Sequence, residues 1–414
     1  MKLSGEQTQV LKHLLTQTTG SYLITGNAGC GKTTLAAYLV SRFLRKNSQV
    51  LVMCPTHQAK QQFSNRLGEH KNLNLITVAK FLGQRPIVDK ASGRLTFTSG
   101  GGTEETDYQL IVVDETSMVG EYELMEIARA AMHSLVVFLG DFAQLRPVMK
   151  RQGDAYTRLH TFRLVEQHRN QNAILALCNR VRVGVDYPHT SNGMIRVHRD
   201  RRSMVRDFLH ALTTAKDPLD VCYLTYRNAL VNQVRMLAHR RLYGDAVFAV
   251  GQQLRLDQMC AAGYNGSIVC VEQVGRVKTR VIDGEKFEVY PLRVFNPDTE
   301  ITYTIYAAGM SEQARQGALI ERLYEASAKA FARDKDAWRE ARNELELAET
   351  MVRHSSPFVG TVHKSQGRSI GSVFVDTLDI STGSDKRRLL YVGYSRASRR
   401  LHTIAVPLKK RRGA

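Results

Sequence analysis

Nine consecutive residues, Gly26 to Thr34, read "GNAGCGKTT" and fit the pattern G-x-x-x-x-G-K-[ST]. An apolar strand-like run, "SYLIT", precedes them, and a helical pattern, "TTLAAYLVSRFL", follows. Gly26, Gly29 and Gly31 let a backbone wrap a polyphosphate, and the free N–H groups that open a helix face an anion placed there. Lys32 would neutralise β and γ phosphate charge and Thr33 would hold Mg2+, while Asn27, Ala28, Cys30 and Thr34 complete the loop around ATP.

Two later runs supply groups that a phosphate alone does not need. In "LIVVDETS", Asp114 ends an apolar run, where a carboxylate can hold Mg2+ through water, and Glu115 beside it could accept a proton from an attacking water. Such an acidic pair is by itself equally a helix N-cap; the phosphate loop upstream favours the catalytic reading. "FLGDFAQLRPV" repeats the form with Asp141 and Gln144. A glutamine at a strand's carboxyl end can distinguish ATP from ADP by gaining or losing one hydrogen bond to the γ-phosphate, although the run alone also reads as a capped turn.

These residues need a scaffold that ends several strands side by side. Within residues 1–160, "SYLIT", "QVLVMCP", "QLIVVDE" and "LVVFLGD" are short runs rich in Val, Ile and Leu, separated by helical patterns. Buried parallel strands in βαβ units look like this, so an α/β domain is predicted there. The rhythm breaks at about 82–107, where "KASG" reads as the turn of an inserted β-hairpin. A second α/β region is predicted over 161–246, an all-β module over 247–308, and charged helices over 309–352 that pack on themselves through Leu319, Ile320, Leu323 and Tyr324. The α/β texture resumes over 353–408 and ends in a basic tail, 409–414.

Composition narrows the partner. The chain of 414 residues carries 58 Lys and Arg against 39 Asp and Glu, a net charge of +19, which favours a polyanion such as nucleic acid. Six scattered cysteines form no C-x-x-C pair, so neither zinc nor a disulfide framework is predicted. No run approaches the ~20 apolar residues of a membrane span, and a cytoplasmic protein is expected.

Taken in order, "GNAGCGKTT", "CPTHQAK", "VVDETSM", "GDFAQLRPV", "LVEQHRN", "TVHKSQG" and "LLYVGYSRA" resemble the motif set of superfamily 1 helicases of the 5′-to-3′ branch, particularly the bacteriophage Dda and RecD-like helicases. The resemblance covers nearly the whole chain. It implies two RecA-like P-loop NTPase domains, with a hairpin pin inserted in the first at 82–107. The second would carry an SH3-like β insertion at 247–308 and a helical tower at 309–352. It implies an ATP-dependent helicase that tracks 5′ to 3′ on single-stranded DNA in replication, recombination or repair. Its partners would be single strands, ss/ds junctions and single-strand-binding or replisome proteins, and the working chain a monomer.

Site roles follow from the same resemblance. Gln7 would face adenine, Arg169 and Arg396 would reach the γ-phosphate from the second domain, and Gly367 would let the backbone approach the nucleotide cleft. Pro55, Thr56, His57, Thr77 and Phe81 would contact the strand from the first domain, with core packing an equal alternative for Phe81. Thr361, His363, Lys364, Tyr226 and Asn228 would do so from the second, and Phe97 or Leu95 would tip the pin. Ser395 replaces the usual threonine and keeps its hydroxyl. Rival classes are a translocase without strand separation, an RNA helicase, an ATP-switched DNA-binding scaffold and, least favoured, a small-molecule kinase.

Overall fold

The computed structural model describes residues 3–27, 29–54, 60, 63–64, 66–83, 86–88, 95–97, 107–145, 155–166, 173–184, 187–188, 190–330, 334–380 and 385–405. The chain divides into two compact units, one formed by 1–83, 101–235 and 358–414, the other by 84–100 and 236–357.

The first unit contains two parallel sheets. In the first sheet the order is β3 (Leu73–Thr77), β2 (Val50–Cys54), β6 (Leu110–Val113), β7 (Leu135–Gly140), β1 (Gly20–Gly26), β8 (His160–Leu164). Its central strands β2, β6 and β7 read as unbroken apolar runs because both faces are covered. Val50, Val52 and Cys54 turn to the face carrying α1 (Gly5–Leu15) and α2 (Lys32–Arg45). Leu51 and Met53 turn to the face of α3 (Val78–Phe81) and α4 (Glu121–Ala130).

The second sheet runs β17 (Val359–Thr361), β10 (Val221–Thr225), β18 (Ile370–Val375), β19 (Ala397–Ile404), β9 (Ile195–His198), again parallel. α5 (Ala173–Val183) and α11 (Lys386–Ser395) bury Leu177, Val181, Leu389 and Val392 on one face. On the other, Phe208 of α6 (Arg201–Thr214) meets Tyr223 and Phe374 edge-on at 5.4 and 5.5 Å. The short α10 (Thr377–Ile380) follows β18, and α7 (Asn228–Tyr243) follows β10.

One boundary differs from the sequence reading. Residues 161–164, taken as the start of the second α/β region, form with His160 a strand parallel to β1 and so complete the first sheet. Hydrophobic period reports that a strand is buried but not which sheet receives it.

The second unit holds the hairpin of β4 (Pro86–Val88) and β5 (Leu95–Phe97), with Pro86 opposite Phe97. Its antiparallel sheet runs β13 (Lys278–Ile282), β14 (Glu285–Asn296), β12 (Ile268–Val274), β11 (Gln253–Leu256), β16 (His354–Ser355), and β15 (Ile301–Ala308) also pairs with β14. β16 lies past the helical segment, so the β-module takes a strand from the stretch assigned to the resumed α/β region. Helices α8 (Gln313–Ala330) and α9 (Lys335–Glu349) do not pack on themselves alone. Leu319, Ile320, Leu323, Leu345 and Ala348 share a buried cluster with Ile282, Phe287 and Val289 of the β13–β14 hairpin. α8 also lies beside β4.

All six cysteines are free thiols, and no helix among the described residues is long and apolar enough to cross a membrane. In the second sheet, His198 Nε2 and His402 Nδ1 lie 3.1 Å apart, and His402 stacks on Phe374 at 3.9 Å. Burial, then the charges of His198 and Arg196, push His402 down to about 4, with Asp207 opposing and Arg400 assisting. Burial lowers His198 as well, between Asp207, Arg196 and Arg206. A histidine whose folded pKa lies below its unfolded value contributes full stability above pH ~6.5 and loses it as pH falls toward 4. Between pH 7.5 and 5, His402 is therefore expected to cost wild type about 2 kcal/mol. Urea unfolding at both values should show that loss shrink by about this amount in His402→Phe.

Candidate nucleotide site and strand-contacting turn

β1 ends at Gly26, and the chain turns through Gly29 (φ 86°) and Gly31 (φ 77°) before α2 begins at Lys32. Angles of that sign cost a residue with a Cβ roughly 1 kcal/mol, which is why glycine stands there. Lys32 Nζ donates to the carbonyls of Gly26 at 2.8 Å and Asn27 at 3.1 Å, so the ammonium is folded into the loop. A Cβ on Gly26 would lie 2.6 Å from both Cys30 Sγ and the Leu164 carbonyl, so β8 presses the loop from one side. Arg66 Nη1 donates to Thr34 Oγ1 at 3.0 Å.

Gln7 departs from its expected place. It is buried, its Nε2 donates to the carbonyls of Cys30 (3.1 Å) and Gly31 (3.4 Å), and its Oε1 accepts from Ser4 N (3.0 Å). Both ends of the amide bind protein: it caps α1 and clamps the phosphate loop.

Asp114 follows β6 and is buried; its carboxylate accepts a hydrogen bond from Glu115 N at 2.9 Å. Burial, then the neighbouring Glu115 charge, hold it well above the usual carboxylate range, and Lys32 and Arg66 offset this only in part. A buried carboxylate in that condition lacks counter-charge. A divalent cation on Asp114 and the Thr33 hydroxyl fits that need. Glu115 adopts φ 47°, a left-handed conformation that costs a non-glycine residue about 1–2 kcal/mol. Strain of this kind is kept at functional positions, and it falls on the residue assigned to activate water.

The second sheet meets this loop through specific bonds. Asp141, fully buried, accepts from Tyr391 OH of α11 at 2.6 Å and from Ala143 N at 3.1 Å, and Arg182 of α5 lies 3.5 Å away. The Arg182 guanidinium also sits 5.7 Å above the Tyr391 ring. Arg388 donates to the Phe142 carbonyl at 3.4 Å, and Asn27 Nδ2 donates to Asn179 Oδ1 at 3.0 Å. Gln366 Nε2 donates to Gln144 Oε1 at 3.2 Å. Leu145 is buried in the second sheet's own core.

Arg396 is buried, and its guanidinium donates to the carbonyls of Val392 (3.1 Å) and Arg368 (3.1 Å) and to Ser395 Oγ (2.9 Å). Here the expected γ-phosphate arginine is held inside its own layer.

The stretch "TVHKSQG" folds as the end of β17, a single 3-10 turn over His363–Ser365, and Gly367 at φ 81°. Thr361 is buried and its Oγ1 accepts from Lys364 N at 3.3 Å, so it builds the turn, while His363 and Lys364 are exposed. The Tyr226 ring lies 6.1 Å from His363. Asp379, fully buried, fixes the segment carrying Tyr226. Its carboxylate accepts from Thr225 Oγ1, Tyr226 N at 2.8 Å and Arg227 N at 2.9 Å. Burial pushes the Asp379 pKa up, but these donors prevail and hold it below its usual value. Asn228 opens α7 and is exposed.

In the first layer, Thr77 caps α3 by accepting from Lys80 N at 3.2 Å. Phe81 is half-buried against the Leu23 and Met53 cluster, in keeping with its packing alternative. Ala28, Pro55, Thr56, His57, Arg169 and the "KASG" turn lie outside the described residues, and Phe97 is described by backbone alone.

Sequence reasoning missed Tyr391, Arg182, Gln366 and Asp379. Asp379 had a usable signal, an acidic pair after the apolar run "SVFV"; the others are identified only by the partner the fold gives them. Gly26→Ala is expected to abolish binding of a fluorescent ATP analogue and to cost about 1–3 kcal/mol in urea unfolding, because the Leu164 carbonyl cannot move aside. Gly184→Ala, where a Cβ meets nothing within 4 Å, should leave both unchanged.

Residues 2–200 match the AAA domain family, and residues 358–404 match the UvrD-like helicase C-terminal domain. The ATP-dependent DNA helicase dda of Enterobacteria phage T4 is 22% identical over 426 aligned positions, which cover 90% of this chain and 92% of that protein. The Pif1 helicase from Bacteroides in complex with ADP-AlF3 and ssDNA superposes with a TM-score of 0.54 at 16% identity, covering 97% of this chain and 92% of its own. The Pif1 helicase from Candida albicans gives 0.50 at 17% identity, covering 98% and 96%. With the motifs in order on two α/β layers, an AAA domain match, a UvrD-like helicase C-terminal match and a fold repeated in solved Pif1 helicases, the chain is similar to the superfamily 1 helicases of the Dda and Pif1 branch.

Proposed function

We propose that this chain is an ATP-dependent DNA helicase that moves 5′ to 3′ along single-stranded DNA and separates the duplex ahead of it, in replication, recombination or repair. The carrying observation is the bond between layers: Gln144, beside the candidate γ-phosphate position, is hydrogen-bonded to Gln366 of the strand-contacting turn. Nucleotide state and strand grip therefore share one bonded path.

Charge supports a polyanion on the first unit. Residues 84–100 and 236–357 together carry 19 Lys and Arg against 18 Asp and Glu, so nearly the whole excess of +19 belongs to the two α/β layers. The strand would run over those layers, held by Pro55, Thr56, His57, Thr77 and Phe81 from the first and by Tyr226, Asn228, His363 and Lys364 from the second. Thr361 contributes by shaping the turn. The hairpin at 82–107 is read as the pin, with Leu95 or Phe97 as its wedge, backed by the SH3-like module and the tower. Its grouping with that module, and α8 beside β4, support the assignment.

ATP phosphates would take the place that the Gly26 and Asn27 carbonyls now occupy at Lys32. Asp114 and Thr33 would hold Mg2+, which would supply neutralisation of the phosphate charge. Glu115 would orient the attacking water and take its proton, and Gln144 would donate to the γ-phosphate. Arg169 and Arg396 would stabilise charge as the cleft closes, which for Arg396 requires release from the Val392 and Arg368 carbonyls. Gln7 positions the loop whether or not it also meets adenine. Each closure moves one set of strand contacts against the other, giving one step per ATP. The partner is single-stranded DNA and its junction with duplex, and the chain works as a monomer.

Lys32→Ala is expected to lower DNA-stimulated ATPase roughly 10²-fold or more while single-strand binding persists; full ATPase there would refute the phosphate-loop assignment. Duplexes with a 5′ tail should be unwound and those with a 3′ tail should not; the reverse pattern overturns the direction. His363→Ala should lower stimulation by ssDNA more than basal turnover, and equal losses would return the turn to a purely structural role.

A further inference from the structure

We propose that Gln366 is a positioning residue that fixes which end of the Gln144 amide meets the nucleotide. A glutamine amide has one acceptor end and one donor end, and only the donor end can bond a phosphate oxygen. Gln366 Nε2 donates to Gln144 Oε1 at 3.2 Å, which occupies the acceptor end and leaves Nε2 as the end offered elsewhere. Gln144 is held from behind as well: its backbone N donates to the Asp141 carbonyl at 2.9 Å. Asp141 is itself fixed by the 2.6 Å bond from Tyr391 OH. Because the backbone cannot reorient, the choice of amide end falls to Gln366.

Gln366 is also tied to the exposed side of its turn. Its N–H donates to the His363 carbonyl at 3.4 Å, and Ser365 Oγ donates to the Val362 carbonyl at 2.7 Å, so the turn moves as one piece. A strand gripped by His363 and Lys364 would therefore hold Gln366 in place against Gln144. The sensor amide is oriented for phosphate when the turn is in place and is free to rotate when it is not. Strand occupancy thus acts on hydrolysis through one amide–amide bond.

This inference rests on the motor reading above, and the test separates the two. DNA-stimulated and basal ATPase are measured for wild type, Gln366→Met, Gln366→Glu, Gln144→Met, the Gln144→Met/Gln366→Met double variant, and Lys32→Ala. Glutamate at 366 is acceptor-only and draws the Gln144 donor end toward itself. Gln366→Glu should therefore lose stimulated turnover about tenfold or more, and more than Gln366→Met, which merely removes the bond. The double variant should lose no more than Gln144→Met alone, because Gln366 acts through Gln144. Affinity for ssDNA without nucleotide should stay within about twofold in the Gln366 variants, and circular dichroism should confirm their fold. Additive losses in the double variant, or wild-type rates in Gln366→Glu, overturn the proposal while inactive Lys32→Ala leaves the motor intact. Turnover surviving in Lys32→Ala overturns the motor reading itself.

Discussion

A carboxylate taken out of water must find donors, and this fold places several where strands end. Asp141, Asp376 and Asp379 are fully buried, and each recruits partners from distant parts of the chain. Asp141 holds Tyr391 and Arg182; Asp376 takes the Tyr223 hydroxyl at 2.8 Å and the Arg201 guanidinium; Asp379 takes Thr225 and the Tyr226 and Arg227 amides. Leaving any of them unpaired would cost several kcal/mol, so the carboxylates dictate where α11, α5, α6 and the β10–α7 turn sit. Asp114 is the exception: among the described residues its carboxylate has one hydrogen-bond donor, the amide of Glu115. The same chemistry that makes three aspartates structural leaves the fourth with its pKa raised by burial and by the Glu115 charge.

The contact between the α/β layers has two components. Leu145 enters the second sheet's core and gives an apolar base that excludes water. Around it lie amide, hydroxyl and guanidinium bonds, each worth about 0.5–1.5 kcal/mol net and individually replaceable by a phosphate or a strand. A nucleotide that supplies equivalent bonds can therefore change the contact without dismantling it, which switching between two arrangements requires.

Much of this was legible before the coordinates. The phosphate loop, the strand-end position of Asp114 and the two parallel sheets follow from local spacing, because glycine placement and apolar runs are set by conformations the chain must adopt locally. Partner choice is less local. The run 160–164 has the composition of a strand in either sheet, and 354–355 is too short to announce itself. Gln7 and Arg396 were placed toward the nucleotide by family motif, whereas their amide and guanidinium hydrogens go to nearby carbonyls. Tyr391 could be counted as apolar core from its spacing, but its hydroxyl matters only because the fold sets Asp141 against it.

Strand order in the second sheet also dictates how the chain is assembled during synthesis. β9 and β10 are not neighbours; among the described residues each pairs only with strands that follow residue 358, beyond the whole second unit. At 5–20 residues per second, β10 waits on the order of ten seconds for its partners to leave the ribosome. Meanwhile the β-module and helices of 236–357 are contiguous in sequence and can close on themselves. The interrupting unit is thus completed before the layer it interrupts, and the apolar strand β10 is exposed to chaperones for that interval.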